Sequence, residues 1–200
     1  MELHTFLRSR RSIRRFKPEP IEDSVIERIL TTATFAPSAH NRQPWRFCVI
    51  KDQAARARLA DTMAADFQRD LERDNLPADE MNARLAKSRE RINSSPLVVV
   101  LCMDMSEMDV YPDARRADAE RMMAIQSTAN GGLQLLLAAH AEGLGAVWTC
   151  GPLFAQDVVR SALSLPAAWE PQAMFFIGYP ESVPEASPRK DLQEVVRIIK

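Results

Sequence analysis

Residues 97–102 have the sequence Leu97-Val98-Val99-Val100-Leu101-Cys102, a continuous apolar run rich in β-branched side chains. A strand with one covered face alternates apolar and polar residues, whereas a run without alternation predicts a strand that is covered on both faces. We therefore expect this run to be a central strand of a sheet that carries helices on both sides.

Residues before this strand show the periodicity of helices. Residues 22–36 place their apolar side chains on one helical face, with Ser24 and Glu27 spaced as a capping box and Pro37 ending the helix. By the same criteria we predict further helices around 59–71, from 79 toward Pro96, at 115–142 and at 158–163, and strands at 47–50, 145–150, 173–178 and 195–199.

The long helix predicted at 115–142 is apolar nearly all round toward its end. A helix without a polar face is buried in a large core or at a subunit contact, and a chain of 200 residues has little core to enclose one. This pattern favours a homodimer.

The chain ends in the β-branched run Val195-Val196-Arg197-Ile198-Ile199, after a linker at 180–188 that is rich in proline and glutamate. An apolar terminal strand promotes aggregation unless it is paired. We therefore expect this run to add to a sheet, either that of its own chain or that of a partner.

The composition predicts one domain, residues 1–200, because 46% of the residues are hydrophobic and the length suits a single core. The net charge of -1 supplies no global field for nucleic acid or an anionic membrane, so any anion recognition must be local. The apolar stretches are short and have polar residues around them, so we predict neither a signal peptide nor a membrane span. The expected location is therefore the cytoplasm.

The three cysteines, at positions 48, 102 and 150, are an odd number at wide spacing. Cys48 and Cys102 stand in apolar runs and are expected to be buried thiols rather than disulfides or metal ligands. Cys150 is expected to be a packed thiol, with a ligand contact as the alternative. The histidines form no ligand spacing with these cysteines, so no metal site is predicted.

Basic residues stand close together near the start of the chain, at positions 8, 10, 11, 14, 15 and 17. Guanidinium groups bind phosphate through forked, charge-assisted hydrogen bonds, and Ser12 adds a hydroxyl among them. A solvated helix end and a nucleic-acid surface are the alternatives. Because aromatic residues are scarce in this cluster and the rest of the chain is not basic, phosphate binding is favoured.

A second polar motif lies at 36–45, where the sequence is Ala-Pro-Ser-Ala-His-Asn-Arg-Gln-Pro-Trp. Its two prolines bound a loop that concentrates amide and hydroxyl groups. Together with the arginines it indicates a ligand that is anionic, planar and capable of hydrogen bonding. The chain has no Gly-x-Gly-x-x-Gly turn between a strand and a helix, no Walker loop and no Gly-x-Ser-x-Gly elbow.

Four motifs in this order and spacing resemble the nitroreductase family, and the resemblance spans essentially the whole chain. They are the arginine run at 10–16, the loop at 36–45, the helix end and turn at 138–145, and Ile177-Gly178-Tyr179-Pro180 followed by Pro188-Arg189-Lys190. The resemblance implies an α+β fold with a central mixed β-sheet surrounded by helices. It also implies an FMN-dependent homodimer that exchanges a C-terminal arm.

The same resemblance implies three groups of cofactor-binding residues. The phosphate, ribityl chain and pyrimidine side of FMN would be bound by Arg10, Arg11, Ser12, Arg14 and Arg189. The flavin would be approached from the partner subunit by Pro37, Ser38, Ala39, Asn41 and Gln43. An edge of the flavin would be contacted by Thr149, Cys150 and Gly151.

The resemblance implies that NADH or NADPH donates electrons through FMN to a small organic acceptor of the nitro, quinone or enone type. No catalytic side chain is expected, because flavin N5 carries the chemistry. The alternatives are a flavin-binding module without efficient turnover and a reductase of a deazaflavin precursor. The second alternative rests on the loop at 38–47, which resembles the nitroreductase-like domain of deazaflavin-cofactor γ-glutamyl ligases, although the ligase part itself is missing from this sequence.

Gly131 and Gly132 lie inside the long predicted helix, where each costs about 1 kcal/mol relative to alanine. Such a cost indicates that another group approaches the backbone closely at this point. A tight helix crossing and the face of the flavin are the two interpretations.

Overall fold

The computed structural model describes residues 2–199 as a sheet of four strands with eight α-helices around it. The strands are β1 (Trp45–Ile50), β2 (Leu97–Asp104), β3 (Gly145–Thr149) and β4 (Trp169–Gly178). The helices are α1 (Leu3–Ser9), α2 (Asp23–Ala33), α3 (Gln53–Arg73), α4 (Ala78–Ser94), α5 (Ala114–Ala141), α6 (Gly151–Phe154), α7 (Gln156–Ala162) and α8 (Leu192–Val195), and a 3-10 helix spans Ala39–Asn41.

The strand order in the sheet is β1-β2-β4-β3, and each neighbouring pair is antiparallel. Every residue of β2 is buried, which confirms that the run at 97–102 is a central strand. The α+β class is confirmed as well. The expected mixed sheet is antiparallel in its four strands, and Ser12–Ala146 is an isolated parallel bridge at its edge.

The two faces of β2 pack into two different cores. On one face Val99 and Leu101 contribute to a core with α2 and α5, and on the other Val98 and Val100 contribute to a core with α3 and α7. Residues two apart in a strand share a face, so the unbroken apolar run is needed to fill both cores. The helices therefore lie on both sides of the sheet, as expected.

Gly131 and Gly132 lie where α5 presses on two tryptophans of the sheet. A Cβ on Gly132 would lie 2.4 Å from Cζ3 of Trp148, and one on Gly131 would lie 3.2 Å from Cδ2 of Trp45. The close approach is thus between a helix and a sheet, and neither a helix crossing nor a ligand explains it. Both glycines are buried by this packing.

Two local predictions are wrong at the ends of the chain's elements. Glu22, rather than Ser24, is the N-cap of α2, and no side-chain hydrogen bond caps this helix, so the predicted capping box is absent there. At the other end, residues 195–199 form no strand: Val195 ends α8, and the side chains that follow are exposed. Within the described chain this segment therefore pairs with no strand, whereas its addition to the sheet of a partner stays a prediction.

The cysteines divide by burial. Cys102 is fully buried and Cys48 is half-buried. Burial raises the pKa of the Cys48 thiol, and it raises the pKa of the Cys102 thiol to about 12. Cys150 is exposed, so the prediction of a packed thiol is wrong for this residue. Within residues 2–199, no helix combines the length and apolarity needed to cross a membrane.

Candidate functional site

The arginine segment is fixed along the free edge of β3. Ser12 forms the parallel bridge to Ala146, and the backbone N–H of Ile13 donates to the carbonyl of Ala146 at 3.0 Å. The side chain of Ile13 is buried against Gly145, where a Cβ would lie only 2.7 Å from the Cβ of Ile13. This anchoring gives the neighbouring arginines a defined backbone.

Three arginines of this segment divide between two cavities. Arg14 lines a cavity of about 20 Å³ with Phe16, Arg91 and Thr149, which we call the Arg14 cavity. Arg10 and Arg11 line a separate cavity of about 140 Å³, the His140 cavity, whose remaining lining residues are Ser9, Ile13, His140, Gly143, Leu144, Gly145, Ala146, Pro180 and Val183. The expected convergence of all these arginines on one cavity is therefore not seen in the chain alone.

The His140 cavity carries a defined polar contact. Oγ of Ser9 lies 2.8 Å from Nε2 of His140, and the ring of Phe6 stacks on the imidazole at 4.9 Å between centroids. Burial, together with the positive charges of Arg10 and Arg11, lowers the pKa of His140. The burial and the nearby cationic groups thus favour the neutral form of the imidazole.

A larger cavity adjoins the Arg14 cavity and shares Arg91, Thr149 and Phe176 with it. This central cavity measures about 370 Å³. Its apolar lining is Met63, Phe67, Ile92, Met174 and Phe176, and its polar lining is Arg84, Lys87, Ser88, Arg91, Thr149 and Gly151. We treat the two adjoining cavities together as one pocket, which has an apolar floor and a cationic wall.

The cationic wall was not identified from the sequence, because charged residues spread along a helix usually mark a face that is exposed to solvent. Arg84, Lys87 and Arg91 are exposed, but they also line the central cavity. Their spacing of three and four residues places them on one face of a helix, which is the signal that could have identified them. In the described part of the chain, no carboxylate pairs with Lys87 or Arg91 within 4 Å.

The last residue of β3 and the two residues that follow it reach this pocket in part. Thr149 lines both cavities, and its hydroxyl donates to the carbonyl of Met174 at 2.9 Å. Gly151 lines the central cavity, and a Cβ there would come within 3.3 Å of Cε of Met63. Cys150 lines neither of the two, and its sulfur accepts a hydrogen bond from Nε1 of Trp148 at 3.2 Å.

The loop at 37–43 is tied to α5 rather than to the pocket. The backbone N–H of Ala39 donates to Oγ of Ser127 at 3.0 Å, and Nδ2 of Asn130 donates to the carbonyl of Pro37 at 3.1 Å. Inside the loop, the N–H of Gln43 donates to Oγ of Ser38 at 3.1 Å. None of these loop residues lines the Arg14 cavity or the central cavity of the same chain.

The loop holds an unusual backbone. His40, Asn41 and Gln43 have φ values of 48°, 54° and 50°, in the left-handed region that side chains rarely adopt. Such residues cost free energy and persist where the surroundings impose them, often at binding sites. The amide of Gln43 donates to Oδ1 of Asn41 at 3.2 Å, and both side chains face solvent.

Arg189 is not brought to any of these cavities. It is exposed, and its guanidinium donates to the carbonyls of Ser187 and Pro188 in its own segment. The expected phosphate contact of Arg189 therefore stays a prediction.

The chain is similar in sequence to a known protein family and to several of its members. The model of the nitroreductase family matches residues 7–179. YfhC of Bacillus subtilis, whose name assigns it provisionally to the NAD(P)H nitroreductases, is 32% identical over 194 residues, which is 96% of this chain and 91% of that protein. The 5,6-dimethylbenzimidazole synthase of Rhodospirillum rubrum is 32% identical over 180 residues, which is 86% of this chain and 78% of the synthase.

A solved structure agrees with these relatives. A Desulfovibrio desulfuricans protein, crystallised in complex with FMN, is 26% identical and superimposes with a TM-score of 0.74 over 98% of this chain and 96% of its own. The family match covers both the arginine segment and the residues after β3. The chain belongs to the nitroreductase family.

Proposed function

We propose that this chain is an FMN-dependent oxidoreductase that takes electrons from NADH or NADPH and passes them to a small organic acceptor of the nitro, quinone or enone type. The observation that carries the proposal is the pair of adjoining cavities, of which one is lined by Arg14 and Arg91 and the other by Arg91, Phe67 and Gly151. Family membership and the FMN-bound relative support the choice of cofactor.

The lining of the pocket fits a flavin. The apolar side chains of Phe67, Met174 and Phe176 would pack on a planar ring and exclude water from it. Lys87 and Arg91 would stabilise the negative charge that a reduced flavin carries near N1 and C2=O. When bound, FMN supplies the two-electron chemistry.

For the phosphate, ribityl chain and pyrimidine side we propose Arg10, Arg11, Ser12, Arg14 and Arg189. The bridge of Ser12 to β3 supports this assignment, because it fixes the backbone of the first four residues before any ligand arrives. Preorganised guanidinium groups bind a phosphate with little loss of conformational entropy. The exposed Arg189 would have to leave its own backbone carbonyls to join them.

For an edge of the flavin we propose Thr149, Cys150 and Gly151. Thr149 and Gly151 line the central cavity, and Gly151 presents bare backbone to it. The hydroxyl of Thr149 is committed to Met174, which leaves backbone groups of this segment as the donors and acceptors for a ligand.

The loop at 37–43 would contribute Pro37, Ser38, Ala39, Asn41 and Gln43 to the flavin of a partner subunit. The ties to Ser127 and Asn130 support this role, because they hold a strained and exposed loop away from the Arg14 and central cavities of its own chain. Gln43 lines a separate open cavity of about 660 Å³ beside β1. A loop that is rigid before association loses little entropy at an interface.

A homodimer would also cover exposed apolar side chains. Beside the loop and on α5, the side chains of Phe35, Met122 and Leu133 are exposed, and so are those of the C-terminal segment, Leu192, Val195, Val196, Ile198 and Ile199. Large exposed apolar patches typically mark interaction surfaces. We propose that α5 lies at the dimer contact and that the C-terminal arm is exchanged between subunits.

The test uses the purified full-length protein. We expect stoichiometric FMN binding, rapid bleaching of the bound flavin by NADH or NADPH under anaerobic conditions, and reoxidation by a quinone or a nitroarene. Failure to bind FMN would overturn the proposal. FMN binding without reduction by either nucleotide would instead support the flavin-binding module or the deazaflavin-linked reductase.

Formation of 5,6-dimethylbenzimidazole is a second candidate, because the synthase of R. rubrum is as similar in sequence as YfhC over a shorter part of the chain. Chromatography of the products after aerobic incubation with FMN and NADH distinguishes the two. Release of dimethylbenzimidazole supports the second candidate, and reduction of the added acceptor without that product supports the first.

A further inference from the structure

A further cavity lies against the central one and has a different charge. This acidic cavity measures about 380 Å³ and is lined by Met63, Asp66, Phe67, Asp70, Asp74, Ser88, Gly151, Phe154 and Ala155. Four of these residues, Met63, Phe67, Ser88 and Gly151, also line the central cavity. A molecule in the acidic cavity would therefore lie next to whatever occupies the central cavity.

Two aromatic side chains line this cavity and suit the binding of a planar ring of a ligand. The side chain of Phe67, on α3, is 37% exposed, and that of Phe154, at the end of α6, is 82% exposed. Exposed phenyl groups gain free energy when a planar ring stacks on them or meets their edges. The volume lies in the range of about 300–1,000 Å³ that is typical of small-molecule pockets.

The two adjoining cavities differ in their charged lining. The central cavity is lined by Arg84, Lys87 and Arg91, whereas the charged side chains of the acidic cavity are Asp66, Asp70 and Asp74. Asp66 and Asp70 lie four residues apart on one face of α3, and Asp74, the C-cap residue of that helix, follows at the same spacing. Arg69 and Arg73 pair with the first two, but neither arginine lines the cavity.

We propose that the acidic cavity is the acceptor subsite, and that it takes planar aromatic acceptors without negative charge, cationic ones best. This inference rests on the proposed function and names its substrate class. The aromatic pair gives the ring a surface, and the carboxylates repel anionic acceptors and attract cationic ones. The boundary shared with the central cavity puts the acceptor beside the electron source.

A nitroarene serves as the probe, and its reduction balances. NADH supplies two electrons as a hydride, one N–O bond of the nitro group breaks, and two protons convert the departing oxygen to water. One of these protons comes from solvent and the other is equivalent to the hydrogen that NADH gives up. The products are a nitrosoarene, NAD⁺ and water.

The experiment compares 4-nitrobenzylamine, which is cationic at neutral pH, with neutral 4-nitrobenzyl alcohol and anionic 4-nitrophenylacetate. The measured quantity is the ratio of kcat/KM for the cation to that for the anion. We expect the doubly substituted variant Asp70→Asn/Asp74→Asn to lower this ratio about fivefold or more. Differences in intrinsic reactivity cancel, because the same compounds are compared in both proteins.

Asp118→Asn is the matched control, because Asp118 is exposed on α5 and lines none of the cavities described above. It removes one carboxylate and should keep the ratio of the wild type. Phe154→Ala should raise KM for all three compounds by about three- to tenfold and leave the ratio unchanged. High salt should lower the ratio in the wild-type protein, which tests the charges without any substitution.

An unchanged ratio in the double variant and at high salt would overturn this inference. The proposed function would still be supported in that case if the protein reduces nitroarenes. A wild-type protein that binds no FMN, or whose FMN is reduced by neither nucleotide, would overturn the proposed function itself.

Discussion

The hydroxyl of Ser127, on α5, accepts a hydrogen bond from the backbone N–H of Ala39 at 3.0 Å and donates one to the carbonyl of Met123 at 2.7 Å. Ser127 is only 3% exposed, so both bonds are shielded from water. One side chain thus joins the strained loop at 37–43 to the longest helix of the fold. The shape of this loop depends on a residue that lies far away in the sequence.

Replacing Ser127 by alanine should lower the free energy of unfolding by about 1–3 kcal/mol, because the N–H of Ala39 loses its partner. Urea denaturation measures the loss. Thr128→Val is the matched control: Thr128 is 1% exposed and its hydroxyl has no partner in the described residues, so its removal breaks no hydrogen bond. An equal loss in both variants would contradict this explanation.

The contact between Gly132 and Trp148 predicts a second effect on stability. A Cβ at position 132 would lie 2.4 Å from Cζ3 of the indole and 3.0 Å from Cδ2 of Leu101, so Gly132→Ala forces the packing apart. We expect a net loss of about 1–2 kcal/mol, because overpacking costs more than the helix propensity that alanine gains. The added Cβ of Gly131→Ala would lie 3.2 Å from Trp45, so this variant should unfold at nearly the same temperature as the wild type. Thermal unfolding of both variants measures the two effects. A stable Gly132→Ala protein would show that the indole can move.

The pKa of His140 predicts how stability depends on pH. Burial and the charges of Arg10 and Arg11 lower this pKa in the folded protein, so the folded state binds fewer protons than the unfolded state. The contribution of His140 is therefore fully present above the ordinary histidine pKa of about 6.5, and it is lost as the pH falls below that value.

The urea midpoint is measured at about pH 7.5 and at about pH 5. In the wild type it should be lower at the lower pH. His140→Gln keeps a hydrogen-bonding partner for Ser9 but does not titrate, so its midpoint should fall less. His4→Gln changes an exposed residue of α1 and should behave as the wild type. A His140→Gln protein with the full decrease would assign the pH dependence to other groups.

Arg14 gives a direct test of the cofactor site. Arg14→Ala should weaken FMN binding by about 1.5–3 kcal/mol, the usual contribution of a hydrogen bond to a charged group. Fluorescence titration of the apoprotein with FMN measures the change. Arg15→Ala removes the next guanidinium, which does not line the Arg14 cavity, and should bind FMN nearly as the wild type does. Equal affinities in all three proteins would place Arg14 outside the site.

Several features could be predicted because they depend on neighbours in the sequence. The run at 97–102 indicated the central strand, and the periodicity from 115 to 142 indicated α5, which spans Ala114–Ala141. Both follow from the preference of each side chain for water or for the core, repeated at the period of the element. The helix ends followed the local pattern less closely, since the capping box at Ser24 did not form.

The site could be predicted only in part. The family motifs named the arginine segment and the residues after β3, but they did not show that Arg10 and Arg14 line different cavities. Nor did they show that α4 contributes Lys87 and Arg91 to the pocket. These facts depend on how helices and strands pack, which no local pattern records.

The amino-acid order was therefore enough to establish the family, the class of the fold and the central strand, because these follow from local polarity and from short motifs. The packed molecule alone decided which charges share a cavity, that Gly132 meets Trp148, and that Cys150 is exposed. A cavity is the space left between residues that are distant in the chain, so its lining is set when the whole core packs and not before.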